Sequence, residues 1–531
     1  MIENINYFIP SIFEIYTLFF SFFIFFTFYI IGQSLTKQND IIINFSLGWS
    51  IYILYFLLFS IILKFSFNFI AIIYYILVLF LISINLKKVK FNLKFFFSLI
   101  FIIPLILILI STKTFGYDSF AYILDRLVFL IENKRFPVSS DGVFRSNYTF
   151  TSLLVYHIIN FPLNFLIENI PAIFDFVLLF ISSICFYKIF KINNFLSKFY
   201  LPLSFLIIFF NPLIMNVYSY SSYEDLHVSF VIFCIYYFIY FKGFKLENFD
   251  LKNGIVLGFL ISLLMVSKTS GPIHGFGVLF SIVVLNFYAL KKNFKLFLII
   301  CTLSLSSFIL WQYHIFISEI NFGINYKGFR LDVLKNFPSN YYLQFLEKKL
   351  LLFANLFFLI IPFLIIPFKN IFKTSHKLIF FNFFPLLVWN VFLIFFQTTL
   401  QTYGHAINLH NYFRFISHYS HVFTFLGLLM IVDLKIYFFK ELKLESKKIY
   451  SILSILFMLM TYFNFDKIRR DINPIQIQLI KSIKESYKEK TNQETHEILK
   501  GENQKNFHIQ RFYYKKIFQE NFVRKNIFKY Y

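Results

Sequence analysis

Long apolar runs are the feature that most constrains this chain. The run FFFSLIFIIPLILILIS, which begins at residue 95, contains no charged residue. Roughly 20 apolar residues cross the hydrocarbon core of a bilayer as a helix, and fewer suffice where protein surrounds the helix. Comparable runs recur along the 531 residues, of which 58% are hydrophobic and 15% are charged. This composition excludes a soluble globular protein and predicts an all-α, polytopic membrane protein.

The apolar runs predict about fourteen membrane-spanning helices. Their expected positions are residues 11–31, 42–64, 68–86, 95–111, 170–189, 199–216, 227–242, 254–268, 273–290, 296–316, 349–368, 378–397, 420–437 and 449–464. We divide the chain into N-terminal transmembrane helices (1–94), a transmembrane core (95–464) and a polar C-terminal tail (465–531). The tail mixes acids and bases and predicts a small soluble appendage or a partly disordered segment.

The lysines predict which loops share a side of the membrane. The net charge is +23, but the lysines form short clusters between apolar runs, such as Lys87, Lys88 and Lys90. Basic residues in short loops remain on the cytoplasmic side, so this charge indicates membrane topology and not nucleic-acid binding. All the clusters fit one alternating topology, in a bacterial inner membrane. The loops predicted to face outward are 112–169, 217–226, 269–272, 317–348 and 398–419.

The first large outward loop carries candidate catalytic groups. The stretch TKTFGYDSFAYILDR places Asp118 directly after an apolar run. Asp118 fits either a functional carboxylate or a helix cap, since a carboxylate accepts from the free amides of a first helical turn. We expect two helices at the membrane interface in this loop, the first of them amphipathic, with Asp125 and Arg126 on its solvated face.

Two later turns on the same predicted side carry further charges. In YSYSSYEDLHVSFVIF, Glu224, Asp225 and His227 lie between two apolar runs, in either a solvated turn or a functional site. Because Glu224 and Asp225 point about 100° apart on a helix, we expect at most one of them to face the bundle interior. In GIVLGFLISLLMVSKTSG, Lys268 ends an apolar run on the predicted outer side. Lys268 therefore snorkels, pairs with a carboxylate or binds an anion.

The order of these motifs resembles the GT-C superfamily of integral-membrane glycosyltransferases. This superfamily includes protein O-mannosyltransferases, the lipid A aminoarabinose transferase and oligosaccharyltransferase. The resemblance covers residues 95 to about 290 and includes a D-S-x-x-Y stretch that contains Asp118 and Tyr122, and a motif around Pro137. Many relatives have a His where this chain has Ile123, and three spans precede the expected first core span, so the acceptor and subfamily stay open.

The resemblance implies an inverting transfer of sugar from a polyprenyl-phosphate donor to a cell-envelope glycan, lipid or protein. Asp118 would act as general base, and Asp225 would orient the acceptor or hold a divalent cation, Mg or Mn, together with Asp118. Lys268 and Arg414 are the basic residues best placed for the phosphate. Further substrate contacts are expected from Tyr122, Glu224 and His227, and further basic candidates are Arg145 and Lys327.

The histidines do not predict a zinc enzyme. HAINLHNYF lacks the HExxH spacing, so we expect His405, His410, His418 and His421 at the outer surface or in contact with substrate. The three cysteines have no spacing typical of a disulfide framework or a metal site.

Two other functions remain open from the sequence. A polymerase of O-antigen or capsule repeats would use arginines of two large outer loops, where Arg330 and Arg414 are candidates. A flippase of lipid-linked glycans or another transporter would place charged residues in the middle of its spans. The predicted spans are nearly free of charge, which argues against transport.

Overall fold

The computed structural model describes residues 12–85, 123–141, 146–162, 169–192, 200–214, 224–243, 250–290, 293–320, 328–401 (without 348, 370, 373 and 374) and 412–438, with isolated residues elsewhere. The predicted spans 95–111 and 449–464 lie almost entirely outside this part, and the tail from residue 465 lies wholly outside it.

Every regular element among the described residues is helical. In the first half these helices are α1 (Ile12–Thr36), α2 (Ile41–Leu57, continued by a π-helical turn, Leu58–Ile62), α3 (Phe67–Asn85), α4 (Asp125–Asn133), α5 (Thr151–Asn160), α6 (Ile170–Ile192), α7 (Tyr200–Phe209) and α8 (Asp225–Lys242). In the second half they are α9 (Leu251–Ser267), α10 (Gly271–Leu285), α11 (Phe287–Leu290), α12 (Phe294–Ile317), α13 (Leu331–Glu347), α14 (Lys349–Ile365), α15 (His376–Thr399), α16 (Tyr412–Ile416) and α17 (Ser420–Phe438). Short 3-10 turns occupy Ser139–Asp141, Ile366–Phe368 and Ser417–Tyr419.

The helices confirm a multi-pass integral membrane protein. Within the described ranges, nine helical segments are long and apolar enough to cross a bilayer, and α9 and α10 are apolar but shorter. The predicted span 199–216 contains α7, and the residues directly before α7, 193–199, lie outside the described part of the chain. The number of fourteen spans stays a prediction.

Helix α2 lies inside the bundle, in contact with α1, α6, α8 and α9. Glycines permit its close crossing with α1, because a Cβ at Gly32 would lie 2.0 Å from the backbone oxygen of Asn44. A Cβ at Gly48 would lie 1.9 Å from the backbone oxygen of Phe28. Small residues at a crossing let two helix backbones approach closely in a membrane.

Loops that are predicted to face inward meet at one end of the bundle. Asp40 caps α2, and its Oδ2 accepts hydrogen bonds from Lys188 Nζ at 3.4 Å and from Tyr237 Oη at 3.1 Å. Lys252 at the start of α9 donates to the backbone oxygen of Thr36. These contacts connect α1, α2, α6, α8 and α9 at what we call the inner end.

Loops that are predicted to face outward meet at the opposite end, which we call the outer end. The Ser139 amide donates to the Ser318 oxygen at 3.1 Å, and the Arg330 amide donates to the Thr398 oxygen at 3.1 Å. Thr151 donates to the backbone oxygen of Val266. The side of the membrane to which each end belongs stays a prediction.

The first large loop differs from its prediction in two respects. Arg126 is fully buried and donates to the backbone oxygens of Tyr148 at 3.5 Å and Thr149 at 3.3 Å, so its placement on a solvated face was wrong. All ten residues of α5 are buried, so this helix is packed inside the protein and does not lie at a lipid interface. After α4, a hydrogen bond from Arg135 lowers the pKa of Asp141 and holds the loop.

Candidate functional site

Asp225 is the centre of a buried ionic cluster at the outer end. Lys268 Nζ donates to Asp225 Oδ1 at 2.5 Å, and Arg414 Nε donates to Oδ2 at 2.9 Å. His418 Nε2 donates to Oδ1 at 2.6 Å. Asp225 is 3% exposed, so water contributes little to its solvation. We call Asp225, Lys268, Arg414 and His418 the Asp225 cluster.

Local chain geometry brings Lys268 to this carboxylate. Helix α9 ends at Ser267, and Lys268 adopts an extended backbone before α10 begins at Gly271. The turn is tight, since a Cβ at Gly271 would lie 2.2 Å from the backbone oxygen of Leu264. Lys268 is 8% exposed and its Nζ also lies 5.8 Å from the centre of the Phe415 ring. The predicted alternative of a lone snorkelling lysine is therefore wrong, and the predicted carboxylate partner is confirmed.

Arg414 and His418 reach the same carboxylate because they are four residues apart in helical backbone. Arg414 belongs to α16, and His418 belongs to the 3-10 turn that follows it. Residues at this spacing lie on one helix face, so both side chains point towards the start of α8. The Arg414 side chain keeps 15% of its surface exposed, the largest exposed fraction in the Asp225 cluster.

A second polar set lies on another face of α8. Glu224 accepts a hydrogen bond from Ser152 of α5. His227 Nε2 lies 2.9 Å from Asp175 Oδ1 of α6 and 3.5 Å from the hydroxyl of Tyr156. Glu224 and His227 are three residues apart, a spacing that places both on one face of the helix. We call these five residues the His227 set.

The first turn of α8 is surrounded by protein on both sides, which corrects two expectations. Glu224 and Asp225 are both buried, although we expected at most one to face the interior. The reason is that side chains of α5 and α6 contact one face of this turn, while α9 and the 3-10 turn Ser417–Tyr419 pack against another face of α8. A solvated turn is likewise excluded, and the Glu224 side chain makes no capping hydrogen bond to α8.

Burial gives the ionic contacts of the Asp225 cluster their strength. Charges at membrane depth are costly unless they are paired, hydrated or used. Lys268 and Arg414 both contact the carboxylate of Asp225, while the carboxylate of Glu224 accepts a hydrogen bond from Ser152. Two cationic side chains of the described residues thus converge on one carboxylate, and both can also contact an anionic ligand.

Five of the seven sequence-predicted site residues meet at the first turn of α8. These residues are Glu224, Asp225, His227, Lys268 and Arg414. Asp118 and Tyr122 lie outside the described residues, as do Arg145 and Lys327. Arg330 is not part of the cluster, because it donates to the backbone oxygen of Gln401.

Several site residues were missed by sequence reasoning. Asp175 is a single buried acid within the apolar run of α6, and no motif in the sequence marks it. Ser152 and Tyr156 are four residues apart on α5, a spacing that could have indicated a polar helix face. His418 and His421 are fully buried, which excludes the outer surface, so contact with substrate stays the prediction for them. His405 and His410 lie outside the described residues.

A metal site is not evident among the residues that the structure describes. There, no group of three His, Cys, Asp or Glu side chains could hold a metal ion. Both oxygens of Asp225 accept hydrogen bonds from nitrogen donors, which would have to be displaced before Asp225 could bind Mg or Mn. Because Asp118 is not described, the possible divalent cation stays a prediction.

Comparison with known proteins adds no relative. No family model, curated protein or solved structure matches this chain significantly.

Proposed function

We propose that this protein is an inverting membrane glycosyltransferase. It transfers a sugar from a polyprenyl-phosphate donor to an acceptor of the cell envelope, on the extracytoplasmic face of a bacterial inner membrane. The observation that carries the proposal is the convergence of Asp225, Lys268 and Arg414 from three separate segments at one end of the bundle. A GT-C-like core with about fourteen spans belongs to the same proposal.

Lys268 and Arg414 bind the donor phosphate in this proposal. A guanidinium presents a fork of donors that matches phosphate oxygens, and an ammonium adds a point charge. As the sugar leaves the phosphate, negative charge grows on the phosphate oxygens, and fixed cations stabilise that charge. Asp225 is a positioning residue here, because both of its oxygens are engaged by the groups that it holds.

Asp118 remains the proposed general base. It removes the proton from the acceptor hydroxyl or amine while that atom attacks the anomeric carbon, and the bond from this carbon to the phosphate oxygen breaks. A positioned base contributes about a hundred- to ten-thousandfold to such a step. The loop that contains Asp118 leads into α5, where Thr151 contacts Val266 and Ser152 contacts Glu224. These two contacts support the proposal, because they hold α5, which belongs to the same predicted outward loop as Asp118, against Glu224 and the end of α9.

The test is transfer of a labelled sugar by purified protein in liposomes, with a polyprenyl-phosphate sugar as donor. We expect Asp118→Asn to abolish transfer and Lys268→Met to reduce it strongly. Lys188→Met is the matched control, because Lys188 also pairs with an aspartate, Asp40, but at the inner end. Unchanged transfer by Asp118→Asn would remove the proposed base. Absence of transfer by the wild type with every such donor would favour a repeat polymerase or a transporter.

A further inference from the structure

A second histidine, His274, extends the hydrogen bonds of the Asp225 cluster further into the bundle. His418 contacts Asp225 through Nε2, and its Nδ1 lies 3.0 Å from Nε2 of His274 in α10. His418 and His274 are 0% and 1% exposed. Asp225, His418 and His274 thus form a chain of side chains that crosses from α8 through the 3-10 turn to α10.

The direction of the hydrogen bonds follows from the chemistry of the three groups. An ionised carboxylate only accepts, so Nε2 of His418 carries the hydrogen that faces Asp225. In neutral imidazole the other nitrogen is then an acceptor, and His418 Nδ1 receives a hydrogen bond from His274 Nε2. Asp225 therefore fixes the tautomer of His418, and His418 fixes that of His274, as second partners do for other functional imidazoles.

Aromatic rings fix the orientation of both histidines. The His274 ring centre lies 3.9 Å from a ring centre of Trp389 and 5.5 Å from that of Tyr419. The His418 ring lies 5.4 Å from Trp389 and 5.8 Å from Phe415. Neither imidazole can turn freely in this packing, so the donor at His418 Nε2 occupies a defined position beside Asp225.

We propose that His418, oriented by His274, is a positioning residue that keeps Asp225 shared between Lys268 and Arg414. Without His418, the carboxylate is free to rotate and offer both oxygens to the guanidinium, since bidentate pairing with arginine is the stronger arrangement. Lys268 would then lose its partner, and the two cations would no longer be held at a fixed separation. This inference rests on the proposed function only where the two cations are taken to bind a phosphate.

The geometric part can be measured without a substrate, by acetylation of Lys268 with an amine-reactive ester and mass spectrometry of the protein in detergent. In His418→Leu we expect Lys268 to react several times faster than in the wild type, because a buried lysine without its carboxylate exists more often as free amine. His418→Gln should restore slow labelling, since its amide can donate to Asp225. Lys188 provides the internal reference.

His421→Leu is the matched control. His421 is as buried as His418 and lies three residues later, but its Nδ1 contacts the hydroxyl of Ser229 at 2.9 Å. We expect this variant to label Lys268 at the wild-type rate. His274→Leu should accelerate labelling less than His418→Leu, and it should add nothing in the His418→Leu background because His274 acts through His418. Equal labelling in His418→Leu and His421→Leu would overturn the inference.

Donor kinetics separate this inference from the proposed function. If the wild type transfers sugar, His418→Leu should raise the KM for the polyprenyl-phosphate donor about tenfold, the effect of one lost charge-assisted hydrogen bond, with a smaller change in kcat. An unchanged KM together with unchanged labelling would reject the role of His418. If the wild type neither transfers sugar nor binds polyprenyl phosphate, the proposed function fails while the labelling still decides the role of His418.

Discussion

Asp225 and Arg414 are 189 positions apart in the chain, and Nε of the arginine donates to Oδ2 of the carboxylate at 2.9 Å. The other oxygen accepts from Lys268 and His418, which are also remote in sequence. One buried carboxylate therefore connects the first turn of α8 to two other segments. These are the turn after α9, and α16 with the 3-10 turn that precedes α17. The arrangement makes Asp225 as important for the architecture of the outer end as for any ligand bound there.

Asp225→Asn should destabilise the protein strongly. The change removes the carboxylate that pairs with the buried Lys268, and breaking a buried pair in this way costs about 3–5 kcal/mol. The measurement is denaturant or thermal unfolding in detergent. Adding Lys268→Met to Asp225→Asn should recover part of the loss, because one uncompensated cation is then removed.

Asp40→Asn is the control for that prediction. Asp40 also pairs with a lysine, but its side chain is 20% exposed and the pair is 3.4 Å apart. Asparagine is an equally good helix cap, so the cap on α2 should survive the change. A partly exposed pair of this kind contributes at most about 1 kcal/mol. Equal losses from Asp225→Asn and Asp40→Asn would contradict the special role of the Asp225 cluster.

The sequence predicted the parts of this structure that depend on local pattern. Apolar runs gave the positions of the long helices, because a span must satisfy its own backbone hydrogen bonds. The lysine distribution indicated which loops lie together, and contacts such as Ser139 with Ser318 join loops of one predicted side. The exceptional position of Lys268 at the end of an apolar run predicted a partner, and Asp225 is that partner.

The unpredicted parts depend on what surrounds each helix. Helical spacing predicts the directions in which the side chains of Glu224 and Asp225 point. It does not predict that other parts of the protein cover both side chains. Arg126 belongs to an amphipathic pattern that is typical of a solvated face, yet backbone oxygens of residues 148 and 149 accept its hydrogen bonds inside the protein. Asp175 is a single acid in an apolar run, and only the position of His227 explains it.

Gly32→Ala and Gly48→Ala should each destabilise the crossing of α1 with α2. A Cβ at either position would lie within 2.0 Å of a backbone oxygen of the other helix, so the helices would have to separate. We expect a loss of roughly 1–3 kcal/mol for each change. Gly427→Ala is the control, because no described residue other than those of its own helix turn lies within 4 Å of a Cβ there. Helix propensity predicts a neutral effect or a gain of about 1 kcal/mol for this control. Similar melting temperatures for all three variants would contradict the close crossing.

His157 should make stability depend on pH below neutrality. Burial among Phe56, Phe67 and Phe161 lowers its pKa from 6.5 to about 4. Between these two values the unfolded chain binds a proton that the folded chain does not. The full stability is thus present above pH 6.5 and declines as the pH falls towards 4, by on the order of 3 kcal/mol.

The measurement for His157 is the melting temperature of wild type and His157→Phe at several pH values from 7.5 to 4.5. The difference between the two proteins isolates this residue from other titrating groups. We expect the wild type to lose stability relative to His157→Phe as the pH falls. A difference that stays constant over this range would show that His157 does not titrate in this way.

The orientation of the bundle can be tested with two exposed tyrosines. Tyr342 of α13 is 62% exposed in a loop predicted to face outward, and Tyr288 of α11 is 90% exposed beside a lysine cluster predicted to face inward. In spheroplasts, a membrane-impermeant maleimide should label Tyr342→Cys at once and Tyr288→Cys only after lysis. The native cysteines add little background, because Cys185 and Cys234 are buried and Cys301 is half-buried within α12. The opposite labelling would place the Asp225 cluster at the cytoplasmic face and remove an extracytoplasmic glycosyl transfer from consideration.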